Sequence, residues 1–244
     1  MQIKDNYPKI KINKNGLVFP KTITHFQNEN KDYFSYKDFF PNDPLDKNKV
    51  LYYIYRNVCL DTQEPLFSKN KVRFDLTLIP ASQNKKEPSR TIGHFHKNIP
   101  KTKNTWLEIY EVINGQAIFF FQKITGSPAY AIFAKKGDKI IVPSNFGHIS
   151  INPSQKNPLL IANIFTNKKN VSDYSYFKKN HGPVFYPIFK GKKIDFIKNP
   201  LIKKSSCLII EKASDKKLPF NLNQKETIYS QFIKNPKKFK FLFR

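Results

Sequence analysis

Imidazole side chains are few in this chain, and their spacing is uneven. Of the five histidines, His94 and His96 lie two residues apart in a predicted strand, so both side chains point to the same face. Glu108 lies on the next predicted strand and can add a carboxylate, and His148 begins a later strand after a tight turn. Three imidazoles and one carboxylate suit Fe, Mn, Ni or Zn better than Ca or Mg. The spacing therefore predicts one divalent metal ion bound by His94, His96, Glu108 and His148.

The remaining histidines and both cysteines form no such pattern. His25 lies in a polar N-terminal segment and is interpreted as a surface or structural residue, and His181, in Asn-His-Gly, as a turn or structural residue. Cys59 and Cys207 are far apart in sequence and have no recognisable catalytic partner. Two free, structural thiols in a reducing compartment are therefore favoured over a disulfide.

The elements that must position these side chains are short strands. Val72 to Ile79 alternates apolar with polar residues, and further strand candidates follow at short spacing, separated by turn signals such as Asn114-Gly115, which predicts a hairpin. Many short strands at this spacing indicate a sandwich or a barrel. The candidates are Leu51–Tyr55, Val72–Ile79, Arg90–His96, Trp106–Ile113, Gln116–Gln122, Ala129–Ala134, Lys139–Val142, His148–Asn152 and Leu159–Thr166.

The pattern loosens on both sides of this strand-rich region. We expect an N-terminal segment, residues 1–48, that packs on the barrel, the barrel itself over residues 49–166, and a C-terminal extension over residues 167–244. Within the extension a helix is predicted from Glu226 to Ile233, and the apolar run Phe239–Phe243 is expected to dock on the barrel.

The metal-site residues fall within two longer motifs that resemble those of cupins. In the first motif, His-x-His is followed after a gap by Glu and, six residues later, Gly; here His94-Phe95-His96 is followed by eleven residues, Glu108, six residues and Gly115. The gap is longer than usual, as a longer loop would allow. The second motif matches at Gly137, Pro143, His148 and Asn152, with Asn145 in place of a Gly that Asn can replace at a turn. The resemblance implies an all-β cupin barrel (a double-stranded β-helix of the jelly-roll type) with N-terminal strands and a short, partly helical C-terminal extension.

The formal net charge of +25 suggests a nucleic-acid partner, but the residue types do not favour one. Only four of the 43 basic residues are Arg, the side chain that forms bidentate contacts with bases and phosphates. A solvated, Lys-rich surface is therefore favoured over a specific nucleic-acid complex, although a polyanion partner stays open. The positive field would still attract small anions such as sugar phosphates.

Targeting signals are not apparent. The N-terminus lacks the apolar stretch of a signal peptide, and no segment approaches the ~18 uninterrupted apolar residues of a membrane span. We expect a soluble, cytoplasmic protein with no membrane partner.

Local sequence around the motifs resembles the cupin-type glucose-6-phosphate isomerases of archaea and some bacteria. The resemblance extends from about residue 51 to about residue 200, and its specific parts are the Thr-x-Gly-His-x-His run ending at His96 and the Glu-x-Tyr pair Glu108 and Tyr110. It implies reversible interconversion of glucose 6-phosphate and fructose 6-phosphate, a step of glycolysis and gluconeogenesis. It also implies a homodimer and a single divalent ion, Fe²⁺ first, with Mn²⁺, Ni²⁺ or Zn²⁺ as alternatives.

The same resemblance assigns roles to further residues. It places the metal on His94, His96, Glu108 and His148, makes Tyr110 the substrate-facing tyrosine, and gives phosphate contacts to Thr77, Thr91, Gly93 and Tyr174. The chain departs from the family at two positions, with Phe165 where a Tyr is frequent and Ser172 where a His is expected. Glu108 is expected to act as the base of an enediol route. The alternatives are a hydride shift and a Glu108 that only holds the metal. A metal-dependent cupin oxygenase or decarboxylase and a non-catalytic sugar-binding cupin remain alternatives.

Overall fold

The computed structural model describes residues 10–13, 16–24, 26–32, 39, 50–82, 86–203, 206–215 and 217–244. The strands are β1 (Lys11–Asn13), β2 (Gly16–Val18), β3 (Gln27–Asp32), β4 (Val50–Arg56), β5 (Val72–Ile79), β6 (Phe95–His96), β7 (Glu108–Asn114), β8 (Gln116–Lys123), β9 (Ala129–Lys135), β10 (Lys139–Val142), β11 (Phe146–Ile151), β12 (Leu159–Thr166), β13 (Ser172–Asp173), β14 (Phe185–Lys190), β15 (Lys193–Lys198) and β16 (Leu208–Lys212). The helices are α1 (Glu64–Lys69), α2 (Ser175–Lys179) and α3 (Ile228–Lys234), with 3-10 turns at Asp61–Gln63, Ala213–Asp215 and Pro236–Phe243.

Two sheets carry the fold, in agreement with the predicted all-β cupin class. The larger sheet has the order β10-β7-β12-β5-β4-β3, and the smaller has the order β11-β8-β9-β16. Buried side chains from both sheets form one core cluster. In the described part of the chain no strand ladder joins the two sheets, so the cupin here is a β-sandwich and not a closed barrel.

Strand β5 shows how the alternating sequence builds both a core and a polar interior. Phe74, Leu76 and Leu78 are buried in a second apolar cluster, which also contains the C-terminal helix. On the opposite face, Asp75 and Thr77 are buried as well, at 1% and 7% exposure. The alternation predicted from sequence is therefore present, and its polar face lines an internal cavity.

The predicted strand Arg90–His96 is shorter than expected, since only Phe95 and His96 form a strand. Gly93 has a φ of +84°, which no regular strand accommodates, and the backbone on either side of it makes only isolated bridges, at Arg90 and His94. An added Cβ at Gly93 would lie 2.4 Å from the Ile149 side chain. Close packing thus requires glycine at this position, and the positive φ of that glycine interrupts the strand.

The hairpin predicted at Asn114-Gly115 is wrong. Strand β7 pairs with β10 and β12, whereas β8 pairs with β11 and β9. Gly115 has a φ of +86°, as a tight turn requires, but this turn carries the chain from one sheet to the other. The sequence signal identified the turn and not which strands it joins.

The C-terminal extension is attached to the larger sheet by buried polar contacts. Helix α3 begins two residues later than predicted, because the Thr227 side chain caps it by accepting a hydrogen bond from Ser230 N at 3.1 Å. The Ile228 amide donates to Glu111 on β7 at 2.7 Å, and the buried Lys139 donates to the Gln224 carbonyl at 2.8 Å. Phe239, Phe241 and Leu242 are almost fully buried.

The proposed division at residues 48/49 and 166/167 stays a prediction. β3 pairs with β4 across the first boundary, and β16 pairs with β9 across the second. No described helix has both the length and the apolar character needed to cross a bilayer.

Candidate metal centre and adjoining cavity

His94 and His148 are brought together by the backbone. Each donates its amide to the carbonyl of the other, at 3.3 Å for His94 and 3.0 Å for His148, which forms an isolated antiparallel bridge between the segment before β6 and strand β11. Directly paired residues of an antiparallel bridge project their side chains to the same face. The two imidazole rings accordingly lie 4.4 Å apart between centroids.

His96 is held in one tautomer and one orientation. Its Nδ1 lies 2.7 Å from the Trp106 carbonyl oxygen, and because a carbonyl only accepts, Nδ1 carries the proton. The lone pair is then on Nε2, which faces Glu108. The Phe165 ring stacks on the imidazole at 4.4 Å. A histidine whose distal nitrogen donates to a backbone carbonyl is the arrangement that metal-binding histidines adopt.

Glu108 completes the cluster from strand β7. Its Oε2 lies 3.3 Å from both His96 Nε2 and His148 Nε2, while Oε1 accepts a 2.7 Å hydrogen bond from Asn163 Nδ2 on the adjacent strand β12. Both His96 Nε2 and Glu108 Oε2 are buried without a hydrogen-bond partner among the described residues. Buried polar atoms are rarely left in this state unless an ion or another ligand completes them.

The four side chains fit a single divalent cation. Each of His94, His96, Glu108 and His148 offers one ligand atom, and these atoms lie within 4.8 Å of one another. Ligand atoms sit roughly 2.0–2.2 Å from a bound Zn²⁺, so atoms on opposite sides of one ion are separated by about twice that distance. The cluster therefore needs only a small contraction to share an ion, and its nitrogen-rich donor set is one that transition metals prefer.

Burial sets the charge states in this cluster. Desolvation, together with the neighbouring imidazoles His148 and His96, lowers the pKa of His94 well below its ordinary value. Desolvation likewise lowers the pKa of His148, partly opposed by Glu108. Burial raises the pKa of Glu108, but contacts with His148 and His96 outweigh this effect and leave the pKa below its usual range. Neutral imidazoles and an ionised carboxylate are the forms that bind metal.

Three members of the cluster, His94, Glu108 and His148, line an internal cavity of about 60 Å³. Every residue that the sequence assigned to substrate binding also lines it: Thr77, Thr91, Gly93, Tyr110 and Tyr174. Tyr110 places its hydroxyl 3.4 Å from His148 Nε2, and burial followed by the charge of Glu108 raises the Tyr110 pKa well above its ordinary value. The Tyr174 ring lies 5.2 Å from that of His94. The structure thus brings the predicted residues together, while their roles stay predictions.

Two of the predicted phosphate contacts also have structural roles. Thr91 Oγ1 accepts a 3.0 Å hydrogen bond from the Ser150 amide, which leaves its own hydroxyl hydrogen to donate elsewhere. Gly93 is required by the packing described above. Packing alone would therefore favour glycine at this position, whether or not its amide binds phosphate.

Besides Tyr52 and Ile54, four charged or amide residues in the cavity wall were missed by sequence reasoning: Arg56, Arg73, Asp75 and Asn163. Asn163 is the one polar residue in the buried run Leu159–Phe165, and an amide in an apolar strand was the available signal. For Arg56 and Arg73, the available signal was the rarity of arginine, since the chain has only four. Asp75 lies on the polar face of β5 between Arg73 and Thr77, and the alternation of this strand was the available signal.

The remaining histidines and the cysteines take no part in this site. His25 lies outside the described residues. His181 occupies the turn after α2 with a φ of +51°, as expected of a turn residue. Cys59 is buried and Cys207 exposed, and both are free thiols as predicted.

Comparison with known proteins gives a family and distant structural neighbours. A family model described as glucose-6-phosphate isomerase (GPI) matches residues 34–200, about two thirds of the chain. No curated protein matches the chain significantly.

Among solved structures, the predicted oxalate decarboxylase from Thermotoga maritima shares 17% identity at a TM-score of 0.34, covering 57% of this chain and 91% of its own. Oxalate decarboxylase from Bacillus subtilis, a protein with Mn(II) centres, shares 14% identity at a TM-score of 0.34 over 50% of this chain and 28% of its own. Vicilin from Capsicum annuum shares 15% identity at a TM-score of 0.35, over 49% of this chain and 28% of its own. The chain thus spans under a third of the length of the latter two proteins, and likenesses this distant carry no argument about its reaction.

The family match has a different weight, because it covers most of the chain and includes the segment that carries the clustered histidines, Glu108 and the cavity wall. The chain therefore belongs to the cupin-type glucose-6-phosphate isomerase family.

Proposed function

We propose that this protein is a metal-dependent aldose–ketose isomerase that interconverts glucose 6-phosphate and fructose 6-phosphate. The observation that carries the proposal is one cavity in which His94, Glu108 and His148 of the metal cluster lie beside Thr77, Thr91 and Tyr110. Family membership supports the same reaction. We propose Fe²⁺ as the ion, with Mn²⁺, Ni²⁺ and Zn²⁺ as the alternatives that this donor set accepts.

The metal ligands in this proposal are His94, His96, Glu108 and His148. A bound divalent ion would polarise the carbonyl and hydroxyl oxygens at C1 and C2 of the open-chain sugar. The protein's own contribution is to fix the four ligands in advance. The Trp106 carbonyl orients His96, the backbone bridge pairs His94 with His148, and Asn163 orients Glu108.

Glu108 is the proposed base. In the aldose-to-ketose direction its carboxylate takes the proton from C2, the electrons of that C–H bond form a C1–C2 double bond, and the C1 carbonyl oxygen takes up a proton to give an enediol. As the C2 hydroxyl then loses its proton and becomes the carbonyl, the electrons of the double bond take the proton back from Glu108 at C1. Oε1 keeps a second lone pair besides the one that accepts from Asn163. Tyr110, on the same face of β7, is proposed to hold the sugar oxygens between which the hydroxyl proton moves.

The phosphate group is proposed to bind at Thr77, Thr91, Gly93 and Tyr174. Hydroxyl and amide hydrogens form strong hydrogen bonds to a charged phosphate oxygen. The homodimer, the cytoplasmic location and the lack of a specific nucleic-acid partner stay predictions from the sequence.

Product identification separates this function from the other cupin activities. Metal-loaded protein would be incubated with fructose 6-phosphate with and without oxygen, and products analysed by chromatography. An isomerase forms glucose 6-phosphate at equal rates in both conditions and releases no carbon dioxide. Oxygen-dependent products or carbon dioxide would indicate an oxygenase or decarboxylase, and binding without any product would indicate a sugar-binding cupin.

Isotope transfer tests the role of Glu108. With substrate deuterated at C2, loss of label to solvent, together with loss of turnover in a metal-loaded Glu108→Gln variant, is the expected result. Unchanged turnover in that variant would exclude Glu108 as the base, and complete transfer of label to C1 would favour a hydride shift.

A further inference from the structure

Two arginines line the cavity that contains the metal cluster. Arg56 on β4 and Arg73 on β5 lie in the wall of the inner cavity and also in that of an outer chamber of about 510 Å³. Ser172 and Tyr174 line both spaces as well, so these four residues form a neck between them. The chain has only four arginines among its 43 basic residues, and two of the four lie at this neck.

The guanidinium groups at the neck are held in place by carboxylate and carbonyl partners. Arg73 Nε donates to Asp75 Oδ2 at 2.7 Å and Nη1 donates to the Thr166 carbonyl at 2.5 Å, with the Phe165 ring 5.4 Å from the guanidinium carbon. Arg56 donates to Asp75 at 3.3 Å and to Glu29 at 2.6 Å. The described residues offer no partner to Arg73 Nη2. The side chains of Arg56 and Arg73 are 25% and 16% exposed, so they are fixed yet open to the cavity.

The charges around the two spaces suit a doubly negative ligand. Their described walls contain four cations, Arg56, Arg73, Lys168 and Lys169, and four anions, Glu29, Glu64, Asp75 and Glu108, which balance. A divalent ion on the histidine cluster adds two positive charges. A phosphate monoester carries about two negative charges near neutral pH and restores the balance. A neutral sugar leaves the two charges uncompensated.

The size of the inner cavity places the ligand's far end near the neck. At about 60 Å³ it is well below the roughly 300–1,000 Å³ of pockets that enclose a drug-sized ligand. A six-carbon sugar phosphate therefore does not fit within it whole. If its C1 and C2 atoms face the metal cluster, the rest of the molecule must extend toward Arg56 and Arg73. Beyond the neck, Lys168 and Lys169 line the outer chamber together with Glu64 and with Glu29, which is paired with Arg56.

We propose that Arg56 and Arg73 form the charged part of the phosphate site and determine the selectivity for phosphorylated over neutral sugars. This inference rests on the proposed sugar-phosphate function. The threonine hydroxyls and the glycine amide of the predicted site are neutral donors, which can bond to either a sugar hydroxyl or a phosphate oxygen and add no positive charge to the site. A fixed guanidinium adds directional, charge-assisted hydrogen bonds that a neutral sugar cannot use.

The test measures binding, so it does not depend on turnover. Affinities of the Mn²⁺-loaded protein for inorganic phosphate and for fructose 6-phosphate would be determined by calorimetry, beside unphosphorylated fructose. The variants are Arg73→Met and the double variant Arg73→Met/Asp75→Asn, which avoids an unbalanced buried carboxylate if the single variant fails to fold. Lys190→Met is the control, because it removes the same charge from a side chain that is 80% exposed and outside both cavities.

We expect phosphate and fructose 6-phosphate affinities to fall about tenfold or more in the arginine variants, as for loss of one charge-assisted hydrogen bond. Metal content and fructose affinity should be unchanged, and Lys190→Met should match wild type. Wild-type phosphate affinity in a folded, metal-loaded arginine variant would overturn the inference, as would absence of phosphate binding to the wild-type protein. A wild-type protein that binds phosphate through Arg73 but does not isomerise the sugar would refute the proposed function alone.

Discussion

The hydrogen bond from Asn163 to Glu108 gives the sharpest prediction about the metal site. Asn163→Leu has nearly the same volume and removes the 2.7 Å bond to Oε1, in a place where both residues are at most 5% exposed. A hydrogen bond to a charged group contributes about 1.5–3 kcal/mol, and its loss leaves a buried carboxylate oxygen unsatisfied. Loss of an outer-shell partner typically weakens metal binding by about 10–100-fold. We expect a loss within that range.

The assay is competitive metal titration with a chelator of known affinity, with the free energy of unfolding of the metal-free protein measured separately. Asn199→Leu is the matched control. Asn199 is a fully buried amide that bonds to the Asn180 and Pro183 carbonyls, so its loss should lower stability without changing metal affinity. An Asn163→Leu protein that folds and binds metal as tightly as wild type would refute the argument that Asn163 orients Glu108.

Three further predictions concern other parts of the chain. Phe243→Ala should lower the free energy of unfolding by about 1 kcal/mol or more in urea titrations, because the ring packs edge-on against Trp106 at 5.7 Å; an unchanged midpoint would show that the tail contact is not stabilising. Burial raises the pKa of Cys59 to about 12, so at pH 8 a thiol reagent should modify Cys207 alone in native protein and both cysteines after unfolding. Thr91→Val should lower kcat/KM for fructose 6-phosphate about tenfold or more, and unchanged kinetics would remove Thr91 from the phosphate site.

The metal cluster could be predicted from sequence because its geometry follows from local rules. The spacing of His94 and His96 fixes their common face, and the two motif spacings link them to Glu108 and His148. The strand alternation in β5 also predicted which side chains share a face. These features depend on period and spacing, which a single sequence displays.

Features that depend on strand pairing could not be predicted in the same way. Gly115 has the positive φ that a tight turn favours, yet the hydrogen bonds of β7 go to β10 and β12. Asn163 is in register with Tyr110 across a strand pair whose residues are about fifty positions apart in sequence. The polar face of β5 proved internal because another sheet covers it, so Asp75 and the neighbouring arginines became part of the cavity wall.

The central claim is that this chain isomerises a sugar phosphate with the aid of an ion held by His94, His96, Glu108 and His148. The measurement that tests it most directly is the rate of glucose 6-phosphate formation from fructose 6-phosphate, followed by a coupled dehydrogenase, in demetallated protein before and after adding Fe²⁺ or Mn²⁺. We predict no turnover without metal, recovery on reloading, and no recovery in His148→Ala. Full activity in demetallated protein, or no activity in wild-type protein with one ion bound per chain, would contradict the account.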